Sequence, residues 1–185
     1  NDIFDDLEPK YFPSSDEIIF SSNRNNKTLG TNILDKDFDL FKLKTSNNKI
    51  ISLTNSNEID ERQPQPIENK NYHYLSDKNG IFNHYQTIID STISHIDTMI
   101  HYRYTSSSQQ LSNFKRNILE INFSRNLKQY GLLYRLNNEY DFYIGNKNNS
   151  VIFENTFSET YFKNIASKKT EIKKTNQNNI EKDKI

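Results

Sequence analysis

Short apolar runs closed by Ser and then Asn or Asp punctuate this chain. EIIFSSNRNN occupies residues 17–26, and NYHYLSDKNG occupies residues 71–80. Each run is β-branched or aromatic and ends in residues whose side chains hydrogen-bond their own following backbone, so each predicts a short strand entering a tight turn. Downstream, FDLFKL (residues 38–43) is answered by IFNHYQ (residues 81–86), and ISLTN (51–55) by QQLSN (109–113). Upstream, EPKYFP (8–13) has a proline-bearing counterpart in RQPQPI (62–67). Four landmarks recur in one order, with Phe20 answering Tyr74 and Phe41 answering Tyr85. That is an internal repeat with unequal insertions.

A weaker third copy follows in GLLYRLNNEYDFYIG (131–145), with Tyr134 in the role of Phe20 and Tyr143 in the role of Phe41. Its last strand is expected in SVIFEN (150–155). Inside the second copy, HIDTMIHYRY alternates at Ile96, Thr98, Ile100, Tyr102 and Tyr104, the period of a half-buried strand. This insertion is expected to form a protruding hairpin with YQTII (85–89). Four short strands per unit of about 50 residues is the arithmetic of a propeller blade.

The expected fold is therefore all-β: antiparallel β-propeller blades, two clear and a third degenerate, in an incomplete ring. The divisions are blade one at 1–56, blade two at 57–114 with its hairpin insertion at 90–104, and the degenerate blade at 115–155. Residues 156–185 form a short helix and polar tail. Thr156 and Glu159 have capping-box spacing, and Phe157, Tyr161, Phe162 and Ile165 share a helical face, so the helix is expected at 157–168. The rest of the tail is nearly all polar and is expected to be disordered. A β-sandwich with similar-looking strands is the competing architecture.

Composition narrows the function classes. Lys plus Arg and Asp plus Glu balance at 24 each, so no global field draws the 185-residue chain to nucleic acid or anionic lipid. Asn (27) and Ile (22) are abundant, which makes Asn-dependent motifs common by chance. With no Cys, disulfides, thiolate metal sites and Cys nucleophiles are excluded. No apolar run approaches the ~20 residues of a spanning helix. The start has neither a signal peptide nor an initiator Met, so the chain reads as a processed or excised piece.

Candidate chemistry is sparse. Asp35, Asp37 and Asp39 alternate like a calcium loop, but Leu40 and Ser46 stand where that loop needs Gly and Glu. His73, His84, His95 and His101 show no i, i+4 zinc spacing, though His73 and His84 are placed to face each other across a hairpin. No Gly-x-Ser-x-Gly elbow or phosphate-cradling glycine loop occurs. No catalytic residue, metal or cofactor is predicted.

The pattern P…SSDEIIFSSNR…FDLFKL…KIISLTN resembles the WD-like repeat of TolB-type β-propellers. That unit runs Pro, aromatic, Ser-Pro-Asp-Gly, apolar strand, Ser-Asp/Asn-Arg, Asp-aliphatic-aromatic and Leu-Thr. Here FPSSDE lacks the Gly, and RQPQPIENKN departs further. The second unit is similar to TolB-like segments of large envelope proteins of Bacteroidetes. The resemblance covers residues 7–113 well and 116–155 poorly, and it speaks to fold more than to function.

The resemblance implies a non-enzymatic protein-interaction scaffold in the periplasm or at the outer membrane, with a protein partner or the remaining blades of a parent chain. The alternative is the propeller portion of a dipeptidyl-peptidase-like hydrolase whose catalytic domain lies outside this chain. The residues expected to bind the partner are Ile96, Ile100, Tyr102, Arg103 and Tyr104, since the insertion carries residue types enriched at interface hot spots.

Overall fold

The computed structural model describes residues 3–13, 15–24, 34–56, 58–68, 71–96, 98, 100–124 and 128–146. Eleven antiparallel strands form three sheets in it. Sheet one orders β1 (Asp6–Tyr11), β2 (Glu17–Arg24), β3 (Leu34–Lys44) and β4 (Lys49–Ser52) side by side. Sheet two repeats the order with β5 (Glu61–Glu68), β6 (Asn71–Ser76), β7 (Asn83–Ile96) and β8 (Ile100–Gln110). Sheet three holds β9 (Ile118–Ser124), β10 (Gln129–Leu136) and β11 (Glu139–Asn146). These are propeller-type sheets in an open array. The expected fourth strand at 150–155, the helix at 157–168 and the polar tail all lie outside the described residues.

Register bears out the alignment of the first two copies. Phe20 pairs with Phe41, and Tyr74 pairs with Tyr85. Their motifs recur because each does a hydrogen-bonding job. Asp39 Oδ1 accepts from Thr54 Oγ1 (3.2 Å) and from Ser56 N (3.0 Å), while Leu40 N donates to Thr54 Oγ1 at 2.8 Å. In sheet two, Asn83 Oδ1 accepts from Ser112 Oγ (2.9 Å) and Phe114 N (2.7 Å), while His84 N donates to Ser112 Oγ at 2.9 Å. Asn23 Oδ1 and Asp77 Oδ1 likewise accept from the N–H groups of Asp5 and Asp60, which precede the first strand of each sheet. The prolines of β1 and β5 sit on edge strands, where a missing ladder donor is tolerated.

The third copy pairs differently from its expected alignment. Tyr143 pairs with Leu132, and Tyr134 pairs with Asp141. The register is set by the two-residue turn Asn137–Asn138, whose positive φ values of 49° and 68° suit the twist of a hairpin. Leu132, not Tyr134, is therefore the counterpart of Phe20.

Sheet two is packed between the other two. Phe12, Ile19 and Leu40 of the first repeat bury against Tyr72, Tyr74 and Tyr85. The other face of sheet two places Leu75 against Ile118, Ile121, Tyr130 and Leu132. Alternation along β6 sends neighbouring residues into different cores, so this central strand is buried on both faces.

Candidate interaction site

The expected hairpin insertion is a two-stranded ribbon. β6 pairs with β7 only as far as Asn71 opposite Ile88. Beyond that point β7 continues to Ile96, paired with β8 alone among the described residues. Ile96 sits directly opposite Ile100, so the alternating run spans the hairpin tip instead of forming one strand. Thr98 lies in the tip, not in a strand. Both strands lean on β-branched and aromatic residues, which suit a pleated ribbon.

Pairing places the predicted partner-binding residues on this ribbon. Ile93 opposes Tyr102, Thr92 opposes Arg103, and Ser91 opposes Tyr104. A register shift between Ile93 and His95 marks a local irregularity that adds twist. The side chains of Ile96, Ile100, Tyr102, Arg103 and Tyr104 lie outside the described ones. Of the described side chains nearby, Ile88 is half exposed and Ile93 is 55% exposed.

Two buried polar groups flank the base of sheet two. Glu61 is buried, and Ser56 Oγ donates to its Oε1 at 3.3 Å, while Oε2 has no hydrogen-bond partner among the described residues. Burial pushes the Glu61 carboxyl up to about 7; the Thr54 hydroxyl opposes the shift and the Asp39 carboxylate adds to it. On the other face, His73 Nδ1 and His84 Nε2 lie 2.7 Å apart, a hydrogen bond in which one nitrogen donates and the other accepts. Burial and then the His73 charge hold His84 well below the usual histidine range. Phe123 packs 4.6 Å from His73, and Tyr130 packs 5.1 Å from His84.

The histidine pairing across the hairpin is thus present, but inside a core. Asp37 and Asp39 are occupied with backbone: Asp37 Oδ2 accepts from Glu58 N (2.8 Å), and Asp39 holds Ser56 N. Among the described residues, no group of three or more His, Asp or Glu is gathered in metal-binding geometry. No described helix is long and apolar enough to cross a membrane. Sequence reasoning passed over Glu61, whose only signal is a carboxylate three residues before the proline of the repeated RQP element.

No family model and no curated protein matches this sequence. Among solved structures, the chain is similar to the crystal structure of TolB from Acinetobacter baumannii. The TM-score is 0.52 at 15% identity, over 78% of this chain and 31% of that one. The likeness is one of fold: the chain spans about a third of the TolB chain, and the shared architecture is a TolB-like set of propeller sheets.

Proposed function

We propose that this chain is a non-catalytic, TolB-like β-propeller segment acting as a protein-interaction scaffold in the bacterial cell envelope. It is periplasmic or outer-membrane associated, of the kind found in large envelope proteins of Bacteroidetes. The observation that carries this reading is the ribbon, which continues β7 and β8 past the last residue that β6 pairs. A ribbon without a third strand is stable only marginally by itself, so a docking role gives its length a purpose. The TolB-like fold supports the scaffold class, and the ribbon's Tyr102, Arg103 and Tyr104 supply the anchoring chemistry.

The test replaces residues 90–105 with an Asn-Gly turn joining Ile89 to Ser106, a pair already in register. The variant keeps every strand of the three sheets up to that turn. Cross-linking and pull-down from envelope fractions should then lose the partners that the intact chain captures, while circular dichroism and thermal melting stay close to the parent. An unchanged partner set with an intact fold would overturn the role of the ribbon.

A further inference from the structure

Phe142 is 76% exposed, although its register counterparts Leu40 and His84 are fully buried. In sheets one and two this position lies beneath the following sheet. In sheet three it faces outward, and its neighbours by alternation, Tyr140 and Ile144, are 64% and 71% exposed. On the adjacent strand, the same face carries Arg135, Leu133 and Gly131. A Cβ added at Gly131 would meet nothing within 4 Å, whereas the counterparts of Gly131 are Ile19 and His73. The result is an open apolar stripe with a recess beside Ile144.

The stripe runs into a charged cleft. The Arg135 guanidinium lies 5.9 Å from the Tyr140 ring and also lines a cleft of about 350 Å³ between the β6–β7 turn and the start of β9. Lys115, Arg116 and Arg135 face this cleft together with Gly80, Ile81 and Leu119, and its lining contains no carboxylate. Among the described residues, Lys115 and Arg116 form no ion pair, and Arg135 donates a hydrogen bond only to Asn138 Oδ1, at 3.3 Å. Among the described residues of sheet three, Glu120 is the carboxylate that register places on the same face. In a chain of balanced net charge, three cations gathered without counter-ions are selective for an anionic partner.

We infer that this face docks an acidic segment of another protein. Its carboxylates enter the cleft formed by Lys115, Arg116 and Arg135, where arginine offers paired donors to a carboxylate. Its apolar side chains cover Phe142 and Ile144 and fill the recess at Gly131. A second copy of the chain is a poor occupant, because two such faces would bring their cationic clefts together. Among the described residues, the opposite end of the stack offers no matching surface: Phe20 and Phe41 are already buried there, with Arg24 lying over both rings. The inference rests on the reading of the chain as an interaction module, and it adds a second surface and the chemistry of its occupant.

The test selects a random-sequence peptide display library on the full chain alone and then measures each selected peptide on an Arg116→Glu/Arg135→Glu variant. Both arginines are exposed, and circular dichroism with thermal melting checks the variant's fold; Lys115→Gln/Arg116→Gln is a milder second variant. Selected peptides should combine Asp or Glu with aromatic or aliphatic residues. Each should bind the charge-reversed variant about tenfold more weakly, the loss expected from one charge-assisted hydrogen bond. Phe142→Ala should weaken the same peptides.

Three results overturn the inference: no selected peptide, peptides without acidic enrichment, or peptides that bind both forms equally. Competition by inorganic phosphate or by phosphatidylglycerol vesicles, as effective as the peptides themselves, overturns it too, in favour of a small anion or a lipid surface. If envelope pull-down recovers partners while peptide selection fails, only this docking face falls. If no partner is recovered either, the interaction reading falls with it.

Discussion

Glu8 Oε2 accepts the N–H of Gln63 at 2.6 Å, tying the first strand of sheet one to the first strand of sheet two. Both residues stand at bulges with positive φ (57° and 52°), and each is followed by proline, Pro9 or Pro64. Gln63 then repeats the device one sheet further on. Its Nε2 donates to Leu119 O at 2.8 Å, and its Oε1 accepts from Ile121 N at 2.9 Å. One bulge residue per sheet therefore reaches across to the next. The accompanying Arg62–Glu8 ion pair (3.3 Å) is about a third exposed on each side, so it adds little.

Gln63→Ala is the first prediction. It removes both bonds to β9 and strands the N–H of the buried Ile121, at a cost of about 1–3 kcal/mol. Urea denaturation should show the loss as a lower midpoint with an unchanged slope. Glu8→Gln keeps an acceptor oxygen and should cost less. Equal midpoints for Gln63→Ala and the parent chain would mean that the bulge does not join the sheets.

A second prediction concerns the paired aromatics. Phe41 is fully buried and stacks 6.0 Å from Phe20, while Tyr74 is buried 5.8 Å from Tyr85. Phe41→Ala and Tyr74→Ala should each cost about 3–5 kcal/mol, the range for truncating a buried aromatic. The counterpart of Phe41 in sheet three, Tyr143, is 45% exposed, so Tyr143→Ala should cost about 1 kcal/mol or less. Thermal melting of the three variants checks the order.

These contrasts explain what could be read from the chain. The Ser-Asn/Asp turn, the Asp39 or Asn83 position, and Leu-Thr or Leu-Ser recur because each satisfies named backbone groups, so the repeat and the antiparallel sheets were visible in residue order. The third register was misread because tyrosines are frequent there, and the Asn137–Asn138 turn, not the aromatics, sets the pairing. The cationic cleft was invisible for another reason. Gly80, Arg116 and Arg135 are far apart in the chain and meet only because sheet three stacks on sheet two. Glu61 carries no distinguishing signal in the residue order, because it is the packing of β5 between sheets that removes it from water.

Burial of Glu61 leads to a pH prediction. Its carboxyl is raised from 4.5 to about 7, so between those values the folded chain holds a proton that the unfolded chain has released. Stability from this group is complete below about pH 4.5, falls as pH rises to about 7, and is constant above. A shift of this size corresponds to about 3 kcal/mol. His84 acts in the opposite sense: it stays neutral when folded, so stability is lost as pH falls below 6.5. In the parent chain the two effects offset each other in mildly acidic solution. Glu61→Gln should raise stability at pH 8 and expose a steady loss on acidification. Urea midpoints that run parallel for both proteins from pH 5 to pH 8 would rule this out.

The final prediction separates two residues that occupy the same repeat position. Asn83 accepts from Ser112 and Phe114 through Oδ1, and its Nδ2 donates to Phe114 O at 3.2 Å and to Ile81 O at 3.4 Å. Asn83→Asp keeps the acceptor but turns a carboxylate oxygen toward two carbonyls in a fully buried site, and should cost about 1–3 kcal/mol or more. Asp39 is used as an acceptor from Thr54 and Ser56, and its carboxylate repels that of Glu61. Asp39→Asn keeps one acceptor oxygen and removes the repulsion, so it should be tolerated and should lower the pH at which Glu61 ionises. Paired urea titrations of Asn83→Asp and Asp39→Asn across pH 5 to 8 test this asymmetry. Similar losses in both variants would show that the two positions share a role in hydrogen bonding alone, with no electrostatic link from Asp39 to Glu61.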